Sequence, residues 1–216
     1  MNSVSAADTA MAVHSVLFES ATDIMDTFER SGPHFPERNW PTDSYCVFKC
    51  TLEKLPRSFI FTDNQDGHAE EQAVNFLAKN IKSLKPQKIR FYLNWSPCAR
   101  CSSLFLNFSR MITEKKLSID LEIVFRGLYE ISRPSCKGLP CDCAVRKPEH
   151  VQKLHALWRC EHVTVRTFIE EDWKTLVQLL HNNAATKHDD ALLRRDFEQL
   201  MTEQENKKRD EKKNKN

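Results

Sequence analysis

The sequence predicts an α/β fold: a parallel-leaning sheet covered by helices and preceded by a hairpin. Two observations carry this. Between residues 89 and 182, runs rich in β-branched and aromatic residues alternate with amphipathic ones, as strands do with covering helices. Before them, two further strand-like runs are joined by a short turn. With 216 residues, 40% of them hydrophobic, the chain is long and apolar enough to bury a substantial core.

The elements follow in order. Over 12–30, Val13, Val16, Leu17, Ile24, Met25 and Phe28 recur at near-helical spacing, and Ser31-Gly32-Pro33 stops that helix. Residues 33–43 hold three prolines and read as a loop. YCVFKCTL (45–52) and RSFIFT (57–62) are strands of a hairpin with a non-glycine turn. After the turn DNQDG, the spacing of Ala73, Phe76, Leu77 and Ile81 marks a helix over 68–84. IRFYLNW (89–95) is a buried strand. The helix of 96–115 follows, with Ser96 suited to its cap and Pro97 to its first position. IDLEIVFRGLY (119–129) is the next strand. A cysteine- and proline-rich loop leads to a helix at 149–160, a strand at 162–169 and an acidic-headed helix at 170–182. Leu192, Leu193, Phe197, Leu200 and Met201 then share one face of a last helix, 191–204.

Several function classes drop out on composition. Only four glycines are present, too few and too scattered for a GxGxxG or Walker phosphate loop. No apolar run approaches the eighteen or more residues of a membrane helix, and mean hydropathy is −0.56. The net charge is +2, but residues 207–216 hold six basic and two acidic side chains, so the first 206 residues sum to −2. Any contact with a polyanion must therefore come from a local stripe. The N-terminus lacks a basic n-region and makes a poor secretory signal, so the eight cysteines are expected to be reduced thiols in a cytoplasmic or nuclear protein. In that setting close cysteine pairs suggest metal before disulfide.

The informative residues are His68-Ala69-Glu70 and, after 26 intervening residues, Pro97-Cys98-Ala99-Arg100-Cys101. One neutral imidazole and two thiolates suit Zn2+ and leave a fourth position for water. Cys98 and Cys101, three apart on a helix, share a face, and the positive helix end favours their thiolate forms. A regular helix would point His68 and Glu70 about 200° apart. His68 must therefore sit outside regular geometry if both address one cavity. Glu70, free of the metal, is placed to take the proton of a water and deliver it to a leaving amine. The bland alternatives are an accidental His beside a buried structural CxxC and a structural zinc site without catalysis, whose three protein ligands would leave the coordination open.

This H-x-E…P-C-x-x-C arrangement is that of the zinc nucleobase deaminases. Asn94-Trp95-Ser96-Pro97-Cys98-Ala99-Arg100-Cys101 resembles the W-S-P-C-x-x-C signature of the AID/APOBEC family of polynucleotide cytidine deaminases, a resemblance reaching from about residue 20 to 183. It implies a cytidine-deaminase-like fold: a five-stranded mixed sheet flanked by about six helices, with an extra C-terminal helix here. Residues 12–183 would form that domain, after a flexible 1–11. A linker and amphipathic helix, 184–206, and a basic disordered tail, 207–216, would follow.

The resemblance further implies that His68, Cys98 and Cys101 bind one zinc and that Glu70 shuttles protons in the hydrolysis of cytosine to uracil in single-stranded DNA or RNA. Trp95 and Ser96 would line the pocket for the flipped base. Gly67-His68-Ala69 would lend it a backbone contact through Ala69, and Tyr129 would pack beside it. Ser44 resembles the family's hydroxyl on the pocket wall, and Asn64 its sugar-contacting asparagine. Glu130-Ile131 stand where the family reads the 5′ neighbouring base. A carboxylate there accepts from a base amine but repels phosphate. Where the family usually has Arg before Leu-Tyr or Ile-Tyr, this chain has Gly127, with the arginine one place earlier at Arg126.

Alternatives remain open at this level. A free (deoxy)cytidine or nucleotide deaminase shares the zinc core but lacks the Trp-Ser before the proline; a tRNA adenosine deaminase typically has Glu where Ser96 stands. A catalytically silent nucleic-acid-binding module fits the weak charge. Arg38 and Trp40, near His34, could hold a phosphate and stack a base, or Trp40 could simply cap the core. Cys136, Cys141 and Cys143, with the spacing C-x4-C-x-C, fit no common zinc pattern. Cys46 and Cys50, at even spacing in a strand, belong to the core. The expected partner is single-stranded DNA or RNA, not a membrane, and the chain would be a monomer or weak dimer.

Overall fold

The computed structural model describes residues 21–31, 44–53, 55–65, 67–131, 147–180 and 191–213. It is an α/β fold whose five-stranded mixed sheet has the order β2-β1-β3-β4-β5, with β1 Tyr45–Leu52, β2 Leu55–Thr62, β3 Gln87–Trp95, β4 Ile119–Gly127 and β5 Val163–Thr167. Six helices accompany it among the described residues: α1 Ala21–Arg30, α2 Ala69–Lys79, α3 Ala99–Glu114, α4 Pro148–Trp158, α5 Glu170–Leu179 and α6 Ala191–Lys213. β1 pairs antiparallel with both β2 and β3, while β3–β4 and β4–β5 are parallel. The hairpin closes on Leu52 opposite Leu55, and Glu53 begins its turn with a φ of 59°, the positive value that a two-residue hairpin turn requires.

Period-two alternation builds a core on each face of the sheet. Cys46, Phe48 and Cys50 of β1, Ile89, Phe91 and Leu93 of β3, and Leu121, Ile123 and Phe125 of β4 point to one side. There they meet α2 through Ala73 and Leu77, α3 through Phe105 and Phe108, α4 through Leu154, and α6 through Phe197 and Leu200. Tyr45, Val47, Tyr92 and Val124 point to the other side, against Ile24 and Phe28 of α1 and Trp173 and Leu176 of α5. Cys46 and Cys50 are core residues, as their even spacing predicts.

Most boundaries shift by a few residues from the sequence reading, and three of the shifts bear on the site or the C-terminus. α3 begins at Ala99, after an extended Ser-Pro-Cys, instead of at Ser96. β4 ends at Gly127, two residues early. The third concerns the C-terminus: residues 207–213 continue α6 and are not a disordered tail. Lys, Arg and Glu are strong helix formers. The helix is also anchored beyond its apolar face, where Glu205 accepts from Arg159 at 2.9 Å and Lys208 lies 3.2 Å from His155 Nδ1. Residues 1–20, with the start of the expected 12–30 helix, lie outside the described residues.

Two polar features tie the layers together. Asn94 at the end of β3 accepts from the Tyr45 amide at 2.8 Å and donates to Ser31 Oγ at 3.3 Å, linking β1, β3 and α1. On the α5 side, Glu122 of β4 accepts from Arg90 Nε at 2.6 Å and Arg166 Nε at 2.8 Å. Arg166 also forks onto Asp172 of α5, whose carboxylate caps the helix at the Ile169 amide. Burial works to raise the Glu122 pKa, but the hydrogen bonds from Arg166 and Arg90 outweigh it and hold the carboxyl below its usual range.

Two predictions follow from this packing. Because the Glu122 pKa is lowered on folding, its stabilisation is complete above the ordinary glutamate pKa and is lost as pH falls through the folded value. Glu122→Gln should therefore cost roughly 1.5–3 kcal/mol near neutral pH, with the deficit shrinking in acid. Urea unfolding of both proteins across pH reads it, and a deficit that persists unchanged in acid would contradict the assignment. At Gly127, a Cβ would collide with the Ser31 carbonyl oxygen and lie 2.6 Å from Trp95 Cζ3. Gly127→Ala should destabilise the chain by about 1–3 kcal/mol, seen as a lower thermal midpoint.

Candidate metal centre

Two chain segments converge where β2 and β3 hand over to helices. After β2, Asn64 and Gly67 exchange backbone hydrogen bonds at 3.2 and 3.1 Å, closing a tight turn. Gly67 has a φ of 131°, which L side chains rarely adopt. Gln72 reaches back from α2 to the carbonyls of Thr62 and Gly67 at 2.7 and 2.9 Å and locks this turn. Asp63 accepts from the Ala69 amide at 2.7 Å, so it supplies the helix cap from six residues upstream. His68 itself is extended (φ −65°, ψ 151°), outside helical geometry as the His-x-Glu spacing requires.

The second segment leaves β3 at Trp95. Ser96 is buried, but it does not cap α3. Its Oγ accepts from the Tyr129 amide at 3.0 Å, and its own amide donates to the Gly127 carbonyl at 2.6 Å. The cap is Cys98, whose Sγ accepts from the Cys101 amide at 3.4 Å. The chain runs extended through Pro97 because the serine is committed to the strand end beside it.

These turns bring three donors together. His68 Nδ1 lies 3.7 Å from Cys98 Sγ and 3.4 Å from Cys101 Sγ, and the three ligand atoms are all within 4.8 Å of one another. Among the described residues this is the one His/Cys/Asp/Glu group of three placed to hold a metal ion. A tetrahedron with ordinary zinc–ligand lengths separates N from S by about 3.6 Å and S from S by about 3.8 Å. The two imidazole–sulfur spacings suit such an ion.

The electrostatics suit it as well. The Cys101 thiol beside Cys98 pulls the Cys98 pKa down to about 5, against the effect of burial. Cys101 moves up through that same contact and through burial. The pair thus releases its first proton readily and its second only to something that replaces it. Glu70, 6% exposed, has its carboxyl raised to about 7, chiefly by burial, with the Asp63 and Cys98 charges adding and its own backbone hydrogen bond and His68 opposing.

No protein-family model and no curated protein sequence matches this chain.

The remaining sequence-derived candidates are distributed unevenly. Trp95 is largely buried, with its ring over Gly127. Tyr129 is half-buried and stacks on His150, ring centroids 5.7 Å apart. Its pKa is raised by burial and by Glu130, with Lys147 opposing and smaller effects of Cys98 and Asp63 adding. Glu130, at a φ of 49°, points its carboxylate to Lys147 Nζ at 2.6 Å. Ser44 touches the turn through its carbonyl, which accepts from the Asp63 amide at 3.2 Å. Asn64 is exposed and donates to Gln72. The Ala69 amide is taken by Asp63, so a backbone contact to a base from that residue needs Asp63 to yield. Arg38, Trp40, His34, Cys136, Cys141 and Cys143 lie outside the described residues. Sequence reasoning did not single out Asp63 or Gln72. The signal for Asp63 was present, an acidic residue just ahead of a helix start, but its cap spans six residues and not the usual two or three.

The chain should retain one zinc ion after dialysis. His68→Ala or Cys101→Ser should weaken binding beyond the roughly 10–100-fold typical of changes outside the ligand set, as read by metal analysis and chelator competition.

Proposed function

We propose that this protein hydrolyses cytosine to uracil and ammonia in single-stranded DNA or RNA, with His68, Cys98 and Cys101 holding a zinc ion. The observation that carries the reading is a buried carboxyl, Glu70, two residues from His68 in a His/Cys/Cys group that offers three ligand atoms among the described residues. Zinc in such a set supplies Lewis acidity toward water at neutral pH. The order H-x-E…P-C-x-x-C, with Trp95-Ser96 before the proline, favours a polynucleotide cytosine over a free nucleoside or a tRNA adenosine.

The work of this chain is then proton transfer and positioning. Glu70 takes the proton of the attacking water, passes it to the ring nitrogen of cytosine, and carries the second proton to the departing ammonia. Burial suits it to both directions, since a carboxyl near neutrality is neither too weak a base nor too weak an acid. Tyr129 is held at the strand end by the Ser96 hydroxyl and by its stack on His150, which suits it to pack beside the base. Trp95 is buried, with the Cε3–Cζ3 side of its ring against Gly127. A base paired in a duplex cannot enter so recessed a site, so single strands should react far better.

The test is deamination of a pooled single-stranded DNA library by zinc-loaded parent and Glu70→Ala, with RNA and free cytidine alongside. Uracil is expected from the parent alone, with Glu70→Ala retaining zinc but losing at least ~10²-fold in rate. Activity on free cytidine without activity on polynucleotides would shift the substrate class. Absence of all three from folded, zinc-loaded parent would overturn the deaminase reading and favour a silent nucleic-acid-binding module.

A further inference from the structure

The two helices that carry the metal-ligand candidates are joined by an ion pair that takes no part in ligation. Arg100, the residue between the two cysteines nearer to Cys101, donates from Nη2 to Glu71 Oε1 at 2.6 Å. Glu71 stands three residues after His68 on α2, and Arg100 one residue before Cys101 on α3. The contact therefore ties the first turn of α2, which follows His68, to the first turn of α3, which holds Cys101.

The surroundings of the two partners differ. The Arg100 side chain is 67% exposed and packs on little, so its chief attachment is this carboxylate. The Glu71 side chain is 12% exposed and lodges against Gly67, where a Cβ would lie 2.6 Å from Glu71 Oε2. Gly67 is thus demanded twice, by its positive φ and by the room it leaves for this carboxylate. Glu71 in turn is confined, with one oxygen against the His68 turn and the other aimed at α3.

We infer that Glu71 and Arg100 are positioning residues for the metal centre: they clamp the start of α2 to the start of α3 and so preorganise His68 against Cys98 and Cys101. This rests on the metal-centre reading above. Binding zinc with loss of the second thiol proton adds one positive charge to the site, so through the field alone the loss of Arg100 would strengthen binding and the loss of Glu71 would weaken it, whereas a clamp requires both losses to weaken it. Placement is what the pair contributes. As a partly exposed pair it should be worth about two- to five-fold in affinity at low salt, far less than a ligand.

The experiment measures zinc affinity by chelator competition for the parent, Arg100→Ala, Arg100→Lys, Glu71→Gln and the Glu71→Gln/Arg100→Ala double variant, with the thermal midpoint of each metal-free protein as a folding control. At about 0.05 M salt each single loss should weaken zinc two- to five-fold, the double variant should be no worse than the singles, and Arg100→Lys should recover part of the loss. At about 0.5 M salt, where the pair is screened, parent and variants should converge. Parent-like affinity of Arg100→Ala at both salts, or losses that simply add in the double variant, would overturn the clamp while leaving the metal centre intact. If the parent binds no zinc, the metal-centre reading and the clamp fail together. A changed thermal midpoint with unchanged zinc affinity would make the pair a stabilising contact only and would also overturn the inference.

Discussion

Strand β3 is hydrogen-bonded on both edges and buried on both faces, and most of the molecule is arranged around that constraint. Its odd-numbered residues from Ile89 to Leu93 enter one core and Tyr92 the other, so a helical layer is needed on each side. Its antiparallel edge to β1 brings the hairpin, and its parallel edge to β4 obliges the chain to cross over through α3. The C-terminal end of such a strand is where side chains and helix starts meet without a covering layer. Asn94, Trp95, Ser96 and Cys98 all follow from that geometry: the first ties the neighbouring elements, the next two pack against the end of β4, and the last opens α3 beside His68.

Two buried glutamates show how one side chain takes opposite characters in one domain. Glu122 lies under Arg90 and Arg166, and two charge-assisted hydrogen bonds outweigh the cost of burial, so it stays ionised and ties the sheet to α5. Glu70 has no such cation among the described residues, and its burial near Asp63 and Cys98 keeps its proton to about neutral pH. The first arrangement is structural and loses value in acid. The second is poor for stability and suited to proton transfer, because its two states lie close in free energy under ordinary conditions.

The end of β4 shows local pattern giving way to tertiary demand. Gly127 leaves space for the Trp95 ring and for the carbonyl at the end of α1. The chain then turns at once, through a positive φ at Glu130, and Lys147 at the head of α4 grips that residue. With His150 against the Tyr129 ring and Ser96 on its amide, a short stretch that reads as a strand end becomes a braced rim.

The sequence by itself determined the element order, the two-faced sheet and the three metal-ligand candidates, because alternation with period two and ligand spacing are local properties of the chain. It also determined that His68 must stand outside the helix that contains Glu70, since helical geometry forbids any other way for both to face one cavity. It did not determine which group caps α3, that Asp63 caps α2, that the basic C-terminal segment is helical, or that Glu71 meets Arg100. Each of these depends on a partner many residues away: Tyr129 for Ser96, Ala69 beyond a glycine turn for Asp63, His155 and Arg159 for α6, and a second helix for Glu71. Capping residues and charged side chains have several near-equal local choices, and only the packed chain, by fixing which distant donor or acceptor lies within hydrogen-bond reach, selects among them.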